Sequence, residues 1–167
     1  FYSKSDLGYY GLTALVLSAP LGLIGTSFRD VFYQKIMSSI NRNDISGSLR
    51  FFKYSAIGLF VAGIPLSALL YFFGPEVYSV IFGDRWTRAG EFASILSISF
   101  LVQLVVSPLS SVFNAANRIR VASVWQTLYF ISTFLTLGIS ASILDLQIEK
   151  LLWVYVIHEL ILYTLYF

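Results

Sequence analysis

Five long apolar stretches dominate this chain and leave few folds open to it. They run over residues 9–28, 51–73, 92–114, 121–144 and 151–167. A helix rising 1.5 Å per residue needs about 20 residues to cross about 30 Å of hydrocarbon, whereas a membrane strand needs about 9–11. Periodicity does not separate helix from strand inside uniformly apolar runs, but length does. Lipid offers the backbone no hydrogen-bond partners, so each span must satisfy its own amides and carbonyls, as a helix does. The expectation is an all-α fold, a polytopic transmembrane helix bundle with about five membrane helices. No linker is long enough to divide it into domains. Composition agrees: 57% of residues are hydrophobic and only 12% charged, against about 25% charged in soluble domains.

The same composition narrows function. A net charge of +2, with no basic run interleaved with aromatics, gives nucleic acid nothing to bind. The absence of cysteine removes disulfides and thiol chemistry. One histidine builds no metal cluster, and no Gly-rich loop precedes a phosphate-binding helix. No catalytic set, metal site or cofactor is therefore expected. Nothing near Phe1 reads as a signal peptide, and the last residues are still apolar. The chain is expected to be a piece of a longer membrane protein, cut at both ends.

Charge placement sets a direction. Arg29, Lys35, Arg42, Arg50, Lys53, Arg118 and Arg120 fall on one side of the alternating spans, and Lys4, Arg85, Arg88 and Lys150 on the other. The positive-inside bias makes the first face cytoplasmic. The first helix then runs inward and continues beyond Phe28 as an amphipathic extension.

Residues 64–86 read as a hinge at the opposite surface. Gly74-Pro75 is expected to end the second helix, because proline lacks an amide donor and restricts the residue before it. Residues 76–82 are then expected to lie flat, with Val77, Val80 and Ile81 on one side. Arg85 and Trp86 suit anchors at the headgroup layer.

Pro20, Pro65 and Pro108 fall inside spans. They are expected to kink helices, either statically or so that helices bend during a transport cycle. Ala14, Ser18, Gly22 and Thr26 recur at four-residue spacing, a small-residue stripe against which another helix packs. Polar groups in spans mark a pathway or hold helices together. Glu159, beside His158, stands near the middle of the last span, where an ionised carboxylate costs about 2.5–3.5 kcal/mol on insertion scales. Its functional reading is a proton- or ion-responsive carboxylate, and its structural reading a hydrogen bond to another helix. Gln103, Asn114 and Gln126 line a path or act as interhelical glue. Arg29 attracts an anionic headgroup or snorkels.

One succession of residues is more particular. Gly8-Tyr9-Tyr10-Gly11-Leu12 is followed by Pro20, then Asn43-Asp44 in a cationic loop, then Pro65. Next come Gly74-Pro75-Glu76-Val77, Phe82-Gly83-Asp84-Arg85-Trp86 and Ala89, with Ser107-Pro108 and Asn117-Arg118 later. Over residues 8–122 this resembles the second half of Wzx-type polysaccharide-precursor flippases, within the multidrug/oligosaccharidyl-lipid/polysaccharide exporter superfamily. The resemblance implies part of the second lobe of a larger, two-lobed MATE-like transporter in the bacterial inner membrane. It implies alternating access that moves an undecaprenyl-pyrophosphate-linked oligosaccharide to the outer leaflet. Membrane lipids, the missing first lobe of the same chain and a polysaccharide polymerase are the partners implied. A multidrug or lipid II exporter of the same superfamily is the alternative, since fold does not fix substrate. A non-transporting scaffold is another, and a membrane-embedded enzyme is disfavoured by the lack of a catalytic set.

Overall fold

The computed structural model describes residues 2–166, and among them there is no strand. Two helices of 38 residues each open the chain, α1 (Lys4–Asn41) and α2 (Ile45–Phe82). A 3-10 turn (Asp84–Trp86) leads into α3 (Thr87–Leu109) and the single-turn α4 (Val112–Ala115). α5 (Ile119–Ser142) and α6 (Ile148–Tyr166) complete the bundle. α1, α2, Asp84–Ala115 and α5 are long and apolar enough to cross a membrane, and α6 packs beside them despite carrying Glu149, Lys150 and Glu159. The chain is an all-α membrane protein.

Local chemistry fixes the ends. Ser3 caps α1 by accepting the Asp6 amide at 3.0 Å, and Asp44 caps α2 by accepting the Gly47 amide at 2.8 Å, so each side chain satisfies an amide the helix cannot. Gly83 sits at φ 94°, ψ 160°, a backbone conformation that a side chain would strain. The turn there is held by the Ser79 hydroxyl donating to Asp84.

α3 is the centre. Its contacts with α2 are the most extensive in the molecule, and it also packs against α1 and α6. α1 and α2 meet near their connecting loop, where Phe32 stacks on Phe51 at 5.7 Å and clusters with Ile36, Leu59 and Leu109. Toward the other surface the core forms around α3, through Leu70, Tyr78, Phe92, Leu96 and Phe100. Hydroxyls tie the helices: Ser67 donates to the Ser97 carbonyl at 2.7 Å, Ser94 to the Leu70 carbonyl at 2.9 Å, and Thr13 to the Ala89 carbonyl at 2.8 Å. α5 packs mainly against α6 and also touches α4.

α1, α3 and α6 begin at one surface, where Arg88 reaches Asp6 at 3.3 Å, Glu149 at 2.7 Å and Glu91 at 3.8 Å. Tyr2 donates to the Leu146 carbonyl beside them at 2.9 Å; burial, with Asp145 nearby, pushes its phenol above the usual value. Lys35 and Arg42 at the far end of α1, Arg50 at the start of α2, and Arg118 and Arg120 at the start of α5 form the cationic face.

The proline breaks and the small-residue stripe of α1 can now be placed. The expected break at Gly74-Pro75 is present: helical angles fail at Phe73 (φ −129°, ψ 20°), and helix resumes directly after this kink and runs to Phe82. Pro75 thus falls in the first turn of a resumed helix, where its missing N–H leaves no bond unmade. The buried side of that segment is Gly74 and Tyr78, while Val80 and Ile81 are exposed. The break in α2 accordingly belongs to Pro75 and not to Pro65, and Pro108 stands one residue from the end of α3. The stripe Ser18, Gly22 and Thr26 is exposed, and a Cβ on Gly22 would meet nothing within 4 Å. α1 instead packs through Thr13, Leu17, Phe32 and Ile36, a face offset by one residue.

Candidate functional site

Glu159 is fully buried, at 1% exposure, two-thirds of the way along α6. Residues four apart share a helix face, so α6 places Tyr155, Glu159 and Tyr163 in one row. α5 runs alongside and brings Tyr129, whose hydroxyl donates to Glu159 Oε1 at 2.7 Å. Tyr155 and Tyr163 lie near enough to interact with the same carboxyl, and Tyr10 adds its ring from α1. Among the described residues, the ion-pair partner within reach is the adjacent His158, its Nδ1 3.8 Å away. That nitrogen is buried without a hydrogen bond, while Nε2 meets Ser132 Oγ at 3.1 Å. A buried carboxyl held by phenols, with no Lys or Arg paired to it, has donors that can follow a change in its charge.

Two cavities flank this row. One of about 260 Å³ opens between α3, α5 and α6 and is lined by Gln103, Ser107, Gln126, Tyr129 and Tyr163. The second, about 180 Å³, lies between α1, α3 and α6 and includes Tyr10, Ser18, Gln103 and Tyr155. Gln103 borders both, as the polar wall between them. Trp125 and Tyr166 close the first cavity toward the cationic face, with ring centroids 4.7 Å apart.

Of the expected pathway residues, Gln103, Gln126 and Glu159 are therefore brought together. Arg29 is exposed on α1 and Asn114 on α4, and neither lines these cavities. The reason is helical phase: Phe28 and Phe32 are the α1 side chains turned into the core there, which points Arg29 away. Trp86 is half-buried, its ring edge-to-face with Tyr9 at 5.9 Å, and Arg85 lies over Trp86 at 5.3 Å. The pair thus packs the 3-10 turn onto α1 at the helix ends. The tyrosines were the part sequence reasoning missed; the four-residue spacing of 155, 159 and 163 puts them on one face of α6 but does not say that the face is buried.

No metal-holding group of His, Cys, Asp or Glu is found among the described residues. No family model, curated protein or solved structure matches the chain.

Proposed function

We propose that the chain is part of a membrane transporter, a flippase that moves an undecaprenyl-pyrophosphate-linked oligosaccharide across the bacterial inner membrane by alternating access. The observation that carries the transport reading is Glu159, buried among phenols between two cavities that share Gln103 in a membrane bundle. Ionisable groups at such depth are expensive and characteristically serve ion and substrate pathways. Glu159 would be the coupling group, taking up and releasing a proton as the cavities exchange access. Gln103 and Gln126 would line the path. The substrate class rests on the resemblance over residues 8–122, and the first lobe would supply the rest of the cavity.

The test is complementation with the full-length gene in a deletion strain, scoring surface polysaccharide and the leaflet in which its lipid-linked precursor accumulates. Wild type is expected to restore both. Glu159→Gln, which keeps size and an acceptor, is expected to reach the membrane at normal levels while precursor stays on the cytoplasmic side. Normal glycan and precursor in the deletion strain would turn the reading toward drug export or a scaffold. Full export by Glu159→Gln would remove Glu159 from the pathway.

A further inference from the structure

The connection between α1 and α2 holds a second site, unrelated to Glu159. Lys35, Arg42 and Arg50 converge on one cavity of about 290 Å³, with the hydroxyls of Ser38 and Ser39 beside them. All three cations are exposed, and among the described residues none of them forms an ion pair. Asp44 is the carboxylate at this cavity, and it is engaged as the cap of α2, accepting the Gly47 amide at 2.8 Å. Three unpaired cations at one cavity repel each other unless an anion joins them.

We propose that this cavity binds the phosphate headgroup of an anionic membrane lipid. The wall that is not cationic decides for a lipid over a soluble anion. Phe51 and Tyr54 line the cavity, and the apolar run of α2 starts at Phe51, one residue after Arg50. The cavity therefore straddles the boundary between headgroups and hydrocarbon, with cations on the wet side and aromatic rings on the oily side. Basic pockets between membrane helices on a cationic face recognise anionic headgroups through this arrangement. The volume, close to the lower end of about 300–1,000 Å³ for ligand pockets, suits a headgroup whose tails remain in the bilayer.

The experiment uses the full chain in neutral detergent, with phosphatidylglycerol and phosphatidylcholine of identical tails as probes. Native mass spectrometry counts the retained lipid. Wild type is expected to retain phosphatidylglycerol over phosphatidylcholine by about tenfold or more. The variant Lys35→Gln/Arg42→Gln/Arg50→Gln is expected to lose that preference. The charge-matched variant Lys53→Gln/Arg118→Gln/Arg120→Gln, altered on the same face outside the cavity, is expected to keep it within about twofold. The single variant Arg50→Gln, changing one exposed side chain, is expected to lower retention by about threefold or more. Equal loss in both triple variants would mean diffuse surface attraction and overturn the site. No lipid preference in wild type would overturn it too. Inorganic phosphate is the last probe: thermal protection equal to that given by phosphatidylglycerol would assign the cavity to a soluble anion and overturn the lipid reading.

Discussion

At the scale of single residues, the chain concentrates its polar chemistry on Glu159 and the phenols around it. The Tyr129 hydroxyl is the hydrogen bond made to that carboxyl from α5. Tyr129→Phe keeps the ring, removes the donor, and leaves a buried oxygen short of a partner. It is expected to cost about 1–3 kcal/mol, read as a lower unfolding midpoint in detergent. An unchanged midpoint would show that Tyr155 or Tyr163 takes over the donation. Glu159, Gln103 and Gln126 were legible in the sequence because a polar group within an apolar run is the exception. Tyr10, Tyr129, Tyr155 and Tyr163 were not, because tyrosine in a membrane chain equally suits the interface, and only the folded bundle distinguishes the two. Arg29 and Asn114 lie outside these cavities, and their type alone did not foretell it. Their type says that they need polar surroundings, which both the cavity and the aqueous face provide.

At the scale of elements, the closest fit in the molecule is between α2 and α3, where two backbones touch. A Cβ on Gly90 would lie 2.3 Å from the Gly74 carbonyl oxygen, and one on Gly74 would lie 2.4 Å from the Gly90 carbonyl oxygen. Neither neighbour is a flexible side chain that could yield. Gly90→Ala is therefore expected to force the helices apart and destabilise by about 1–3 kcal/mol or more. Gly58→Ala is the matched control: nothing lies within 4 Å of a Cβ there, and alanine should be neutral or stabilise by about 0.5–1 kcal/mol. Detergent unfolding of the two variants checks both signs. The all-α bundle of long apolar helices followed from span length. Which face each helix buries did not follow. Contact with lipid and contact with protein select the same apolar side chains, so the phase of α1 could not be read from residues such as Ser18 and Gly22. The break at Gly74-Pro75 was legible, but the immediate resumption of helix after it was hidden differently. A proline that ends one helix is also well suited to the first turn of the next, and the residues around it do not say which.

At the scale of the whole molecule, the two surfaces are built differently. One is joined by Arg88, which links the starts of α1, α3 and α6 through Asp6, Glu91 and Glu149. These groups are partly exposed, so each pair contributes only about 0.2–1 kcal/mol. Arg88→Gln is expected to lower stability by about that amount at low salt, and the deficit should shrink at about 1 M salt, where charges are screened within about 3 Å. A deficit unchanged by salt would mean that Arg88 acts through its packing on Phe92, 5.5 Å from the guanidinium. The other surface carries cations that do not clasp the helices together, and the sequence had already gathered them on one side. That asymmetry was legible from charge alone, whereas the convergence of Lys35, Arg42 and Arg50 on a single cavity needed the α1–α2 turn to bring them together.

The central place of α3 also dictates a timetable. During synthesis α1 and α2 leave the ribosome first, yet they meet mainly at the aromatic cluster near their loop. Until α3 arrives, Thr13, Ser67 and the Gly74 backbone face lipid with their eventual partners still unmade. Without α3, α1 and α2 are a loosely joined pair, and α3 turns that pair into a folded body. α6 docks against α3 and carries α5 with it, so the tyrosine-ringed carboxyl comes into being only on a scaffold that α3 has already built.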